Sequence, residues 1–160
     1  MPIDPDEIEP LEQRHRDAML DLILAWGSLD GSLSVLLSRA RGVPLHEGAQ
    51  QIGKLPNPAK LTEVRNVLQN APGGADAARI MEKHEKAYEV HSFPRNRIAH
   101  SRCAGIWTRD RDIIVFLTFE TVGDNELALD RIPIEVMKRA TRWGRAMTDM
   151  ALKLADALEA

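Results

Sequence analysis

One cysteine, Cys103, stands in a chain of 160 residues. An intramolecular disulfide is therefore impossible, as is a zinc site built on several thiolates. A lone thiol is the pattern of a reducing compartment. With no base fixed beside it, Cys103 reads as a small packing residue and not as a nucleophile. Excess positive charge is also missing: the formal net charge is -3 at pH 7. An electrostatic case for nucleic acid cannot rest on the whole chain, only on a local basic patch. The opening residues, Met1-Pro2-Ile3-Asp4-Pro5-Asp6-Glu7, are acidic and broken by proline, unlike a secretory signal. No window is expected to reach the roughly 18 apolar residues of a membrane span. A cytoplasmic protein with no membrane partner is expected. Repeats, low-complexity tracts and a second domain are absent from the pattern, so residues 1–160 are expected to form a single domain. With a hydrophobic share of 44% the chain can bury a core without staples.

What is present begins with a long periodic stripe. Ile8, Leu11, His15, Ala18, Leu22, Ala25, Leu29, Leu33, Leu36 and Ala40 follow one another at steps of three or four residues. That spacing predicts one long helix, in phase across Gly27 and Gly31 and stopped by Gly42 and Pro44. At 1.5 Å per residue it would span roughly 50 Å. A short helical piece is expected around residues 45–52. Pro56-Asn57-Pro58 opens a helix carrying Leu61, Val64 and Leu68, and Ala71-Pro72-Gly73-Gly74 closes it. Gly73-Gly74 lacks the lysine and hydroxyl of a phosphate loop and reads as a turn. A further helix is expected over about 75–92, broken by Pro94 because the residue before proline is pushed out of the helical region. After His100 the period changes from 3.6 to 2. Strands are expected at 106–108, 113–121 and 126–130, around turns at Arg109-Asp110-Arg111 and at 122–125. Pro133 starts a last helix with Met137, Ala140, Gly144, Met147, Ala151, Leu154 and Leu158 along a seam whose small residues let another helix approach. The fold class expected is mainly α, with a small antiparallel β-meander at about 104–131 before the last helix.

The segment Ser92-Phe93-Pro94-Arg95-Asn96-Arg97-Ile98-Ala99-His100-Ser101 is the most informative. If Pro94 occupies the first turn of a new helix, Arg95 and Arg97 lie at its positive end, where cations are disfavoured. Free backbone N–H groups beside an arginine would make a phosphate-sized site there. Asn96 and His100 are four apart and share a helix face. Arg95 and His100 diverge by roughly 140° on an ideal helix. Either Arg95 lies just outside the helix, or two copies of the segment face each other across a two-fold axis. From His91 to Arg111 there are five arginines (95, 97, 102, 109 and 111) against one acid, Asp110. Such local polarity suits an anion. Arg97, Arg102, Arg109 and Arg111 are candidate RNA contacts, and Trp107, on a strand beside them, is a candidate for stacking on a base.

Arg95-Asn96-x-x-Ala99-His100, following a helix in a mainly helical chain of this length, resembles the motif of HEPN domains. That motif is an arginine, a polar residue and then a histidine, with four to six residues between arginine and histidine. The resemblance extends over about residues 8–158. It implies a HEPN-like antiparallel helical bundle and a metal-independent endoribonuclease that acts on single-stranded RNA as a homodimer, often as a toxin or defence component with an antitoxin or other protein partner. By that resemblance His100 is the general base on a ribose 2′-hydroxyl. Arg95 holds the scissile phosphate, and Asn96 orients either partner. The chemistry is sound, since an imidazole titrates near neutrality and a guanidinium binds phosphate bidentately. The products would carry a 2′,3′-cyclic phosphate, and no metal or other cofactor is called for. Two departures stand out. Some HEPN toxins carry, two residues after the histidine, a tyrosine that an antitoxin modifies; here that residue is Arg102. The minimal helical versions also lack the stranded insertion.

Simpler roles compete with these. Asn96 can cap backbone groups, His100 can fill a polar slot, and Arg95 can pair with Glu85 or Glu89. A catalytically inactive HEPN-like scaffold, binding RNA or holding a partner protein on its first and last helices, is then the alternative. His84 and His91 flank Glu85 and Glu89 without any metal-binding spacing. Trp26 and Trp143 are expected to pack, and Lys138, Arg139, Arg142 and Arg145 to form a solvated helix face.

Overall fold

The computed structural model describes residues 4–122 and 126–159. Gly123, Asp124 and Asn125 of the expected second turn lie outside them. Five α-helices are described, α1 Gln13–Arg41, α2 Leu45–Ile52, α3 Asn57–Asn70, α4 Ala75–His100 and α5 Ile134–Glu159, with a short 3-10 turn at Pro5–Glu7. Four strands accompany them: β1 Ile8–Glu9, β2 Arg102–Trp107, β3 Asp110–Val122 and β4 Glu126–Pro133. The protein is thus mainly helical, with a small antiparallel sheet completed before the last helix. The chain divides into two compact units. One comprises the residues up to Leu24 with His91–Arg142, the other Ala25–Val90 with Trp143 onward.

In the first unit the sheet runs β1-β2-β3-β4, every neighbour antiparallel. Ile106 pairs with Ile114 and Ile114 with Ile132, and all three are buried. The alternation seen in the sequence thus carries one apolar row across the sheet. The β2–β3 turn is tighter than expected. It uses Thr108 and Arg109 alone, with Trp107 opposite Asp110, so Arg111 lies in a strand. The two-residue β1 takes Ile8 out of the expected first helix. Glu9 precedes Pro10, and a residue before proline is held extended, so the helix starts at Gln13. Gly105 admits β1: its φ is +137°, and a Cβ there would lie 2.2 Å from the Glu9 carbonyl oxygen. His15 and Ala18 on α1, and Met137 and Ala140 on α5, are buried with the sheet residues.

The expected break at Pro94 is not found. Helix α4 runs unbroken from Ala75 to His100 with Pro94 inside it. Proline removes one backbone donor, which costs a helix hydrogen bond without forbidding the helix. Pro94 and Ser92 are buried at this point, so packing outweighs the local preference.

In the second unit the remainder of α1 buries Ala25, Leu29, Leu33, Leu36 and Leu37. Helix α1 ends in a paired cap, with Gly42 at φ +67° donating to Arg39 and Val43 donating to Ser38. Lys60 on α3 is fully buried, and its Nζ donates to Asp30 Oδ1 at 2.7 Å and Ser34 Oγ at 2.9 Å. That bond set ties α3 to α1. Trp26, Tyr88 and Trp143 form an aromatic group with ring centroids 5.0–6.0 Å apart. The tryptophans therefore pack together, and Gly144 leaves room for the Trp26 indole 3.0 Å from where a Cβ would stand.

Helix α1 also corrects an expectation. By length and composition it is apolar enough to cross a membrane, with mean hydropathy 1.4 in its most apolar 18-residue window. Of that window 44% is buried inside the protein.

Candidate nucleic-acid interface

Because α4 is continuous, Arg95, Asn96, Arg97 and His100 occupy its last turns and not the first turn of a new helix. The macrodipole argument reverses: cations are favoured at a helix C-terminus. The placement of Arg97 and His100 is then favourable in itself and requires no anion. Arg95 lies inside the helix, so its backbone direction stays about 140° from that of His100. Its side chain nevertheless swings toward Asn96, with Nη1 donating to Asn96 Oδ1 at 3.1 Å. Asn96 stands one turn before His100 on the same face. Asn96 and His100 are exposed and Arg95 is half-buried. Among the described residues, no hydrogen bond or ion pair engages the His100 imidazole. The same holds for the side chain of Arg102, exposed at the first residue of β2.

The other candidate cations are differently placed. Arg97 forms an ion pair with Asp130 on β4, Nε to Oδ2 at 2.5 Å, and lies 4.9 Å from the Phe93 ring centroid. Those two atoms are buried and meet no hydrogen-bond geometry, so the contact is a charge pair and not an aligned bond. Arg109 pairs with Glu7, and Arg111 with both Glu9 and Glu12. Trp107 Nε1 donates to Glu7 Oε2 at 3.4 Å, and the Arg131 guanidinium lies 4.8 Å from the Trp107 ring centroid. The net positive patch read from residues 91–111 is therefore offset in space. Glu7, Glu9, Glu12 and Asp130 neutralise three of its five arginines. What stays open is Arg95, Asn96, His100 and Arg102, at the end of α4 and the start of β2.

Sequence reasoning missed the partner acids and a buried bolt. His15 is fully buried, its Nδ1 accepting from the Glu12 N–H at 3.2 Å and its Nε2 2.7 Å from the Arg111 carbonyl. With Nδ1 an acceptor, Nε2 carries the proton and donates. The acidic start of the chain was the available signal for these pairings. Hydrogen bonds from Arg111 and then Arg14 draw the Glu12 carboxyl down to about 2. Arg111 and Arg14 are correspondingly raised. Burial pushes the Cys103 thiol up, which makes it a poorer nucleophile at neutral pH. Burial lowers His91, with Arg139 adding to the effect, and lowers His84 beside Lys83. Among the described residues, no three His, Cys, Asp or Glu side chains group as metal ligands. The second unit holds an open cavity of about 380 Å³ lined by Arg39, Gly42, Val43, Pro44, Leu45 and Leu158. None of these is a candidate site residue.

Compared with family models, curated proteins and solved structures, the chain matches none.

Proposed function

We propose that this protein is a HEPN-like, metal-independent endoribonuclease acting on single-stranded RNA. One observation carries the reading. Arg95 is hydrogen-bonded to Asn96 at 3.1 Å, one helical turn from an exposed His100 with no partner among the described residues. A guanidinium, an amide and an imidazole are the groups that transesterification of RNA needs. In that reaction His100 takes the proton of a ribose 2′-hydroxyl while the 2′-oxygen attacks phosphorus. Arg95 holds the charge that builds on the non-bridging oxygens, and Asn96 fixes the guanidinium. The P–O5′ bond breaks, the departing 5′-oxygen takes a proton from water, and the products are a 2′,3′-cyclic phosphate and a 5′-hydroxyl. Arg102 binds a neighbouring phosphate. Arg97, held by Asp130, is a structural cation in this scheme. The divergence of Arg95 and His100 about the α4 axis supports a homodimer in which two α4 ends share the substrate.

The deciding experiment uses purified protein, single-stranded RNA and excess EDTA, with product ends read by mass. Cleavage to cyclic-phosphate ends, lost in both His100→Ala and Arg95→Ala, is expected. An intact substrate with folded wild-type protein overturns the reading. A second reading is a HEPN-like interaction scaffold without catalysis. It is favoured by the first unit's exposed apolar face on α1, where Leu20, Ile23 and Leu24 are 57%, 37% and 61% accessible. An antitoxin-like protein or a second copy of the chain would occupy that face. A cytoplasmic setting goes with either reading.

A further inference from the structure

We propose that the acidic segment Asp4–Glu12 is a built-in competitor, occupying a face of the β2–β3 hairpin that otherwise takes the phosphodiester backbone of a single-stranded nucleic acid. The proposal rests on the ligand class inferred above and is independent of whether that ligand is cut.

The hairpin carries the parts of a single-strand platform. Trp107 offers a ring, Arg131 lies 4.8 Å from its centroid, Arg109 lies in the two-residue turn and Arg111 follows it in β3. An aromatic surface among arginines binds single strands through stacking and charge together, with little demand on sequence. Trp107, Arg109 and Arg111 are held by the segment's acids. Glu7 meets Arg109 and the Trp107 indole N–H, while Glu9 and Glu12 meet Arg111. Glu7 closes a 3-10 turn, Pro5–Glu7, and Glu9 lies in β1, and each carboxylate meets an arginine of the hairpin. A polyanion would meet the same two arginines with its phosphates. The carboxylates thus stand where phosphates would.

The attachment is of a kind that can be exchanged. Strand β1 has two residues, at the sheet edge, and makes only the pairs Ile8–Trp107 and Glu9–Ile106, with a further bond from the Thr108 N–H to the Glu7 carbonyl at 2.9 Å. The ion pairs are open to solvent, with Arg111 49% and Glu9 46% accessible, so salt and a rival polyanion both reach them. The point where release stops is also built in. His15 stays buried in α1 with Nε2 against the Arg111 carbonyl, and Arg14 donates to the same carbonyl at 3.0 Å. The segment can therefore peel away as far as Glu12 while the hairpin stays anchored to α1.

The test measures binding of a fluorescent single-stranded oligodeoxyribonucleotide, which lacks the 2′-hydroxyl and so reports binding without cleavage. The unsubstituted chain is compared with Glu7→Gln/Glu9→Gln/Glu12→Gln and with Asp21→Asn/Glu47→Gln/Glu82→Gln, which makes the same change in net charge elsewhere. The first variant is expected to bind about tenfold more tightly, with a steeper salt dependence, and the second about as the wild type. Adding Arg109→Gln and Arg111→Gln to the first variant is expected to abolish the gain. Equal affinity of the first variant and wild type overturns the proposal, and so does a gain that survives loss of both arginines. Should the triple variant not fold, Glu9→Gln alone is expected to gain about twofold, and no gain there overturns it equally. Because the probe cannot be cut, failure of cleavage and failure of the competitor are read separately.

Discussion

The His15 imidazole joins two segments nearly a hundred residues apart, with its Nε2 2.7 Å from the Arg111 carbonyl and its Nδ1 accepting the Glu12 N–H. Both ring nitrogens are committed, the ring is fully buried, and the tautomer follows from the partners. Replacing it with Phe keeps the volume but strands the Glu12 N–H and leaves the Arg111 carbonyl with Arg14 as its one donor. His15→Phe should lose about 1–3 kcal/mol of stability, the cost of one backbone group left unpaired. A urea midpoint unchanged within error would show that water replaces both bonds.

Gly105 is the second position on which the N-terminal segment depends. With φ at +137° and a would-be Cβ 2.2 Å from the Glu9 carbonyl oxygen, Gly105→Ala combines backbone strain with a clash against β1. A loss of about 3 kcal/mol is expected, with β1 leaving its place beside β2. Trp107 fluorescence reads that departure directly, because the indole loses its Glu7 partner. If the emission and the midpoint both match wild type, β1 does not depend on a glycine at 105.

Acid should weaken the fold in two stages. His91 and His84 are depressed below their ordinary 6.5 by burial, then by Arg139 and Lys83 respectively. The unfolded chain binds those protons first, so this stability is complete above 6.5 and falls away as pH drops below it. Glu12 sits at about 2 against an ordinary 4.5, held down by Arg111 and Arg14. Its contribution is complete above 4.5 and is lost as pH falls from there through about 2. Urea midpoints across this range check both stages. The lower stage should shrink in Glu12→Gln, and a Glu12→Gln curve parallel to wild type below pH 4.5 would contradict the assignment.

The helices and the meander were legible because their signals are local. The stripe from His15 to Ala40, the prolines at 56 and 133 and the change of period after His100 each act within a few residues. Pro94 misled for a physical reason: its preference is local, and burial of Pro94 and Ser92 within α4 overrode it. That error moved Arg95 and Arg97 from a helix start to a helix end and reversed the sign of the macrodipole argument. The basic patch failed differently. Adjacent arginines add up along the chain, but Glu9 reaches Arg111 and Asp130 reaches Arg97 only through the sheet register, which no window over residues 91–111 contains. The relation of Asn96 to His100 was legible because the two lie four positions apart, where helical spacing fixes it.

That helical relation leaves open how Arg95 and His100 share one substrate. Within a protomer the link runs through Asn96, 3.1 Å from Arg95 and one turn from His100. Across a two-fold axis the arginine of one α4 end would meet the histidine of the other. Mixing two dead variants separates these arrangements. In a refolded equimolar mixture of Arg95→Ala and His100→Ala, half of the dimers are mixed, and each mixed dimer rebuilds one site with both groups intact. Activity should return to about a quarter of wild type if sites are shared between protomers. If each protomer supplies its own pair, every site lacks one group and the mixture stays as inactive as its parts. The same mixture run at protein concentrations too low for association loses any recovered activity, which ties the recovery to the dimer and not to reversion of either variant.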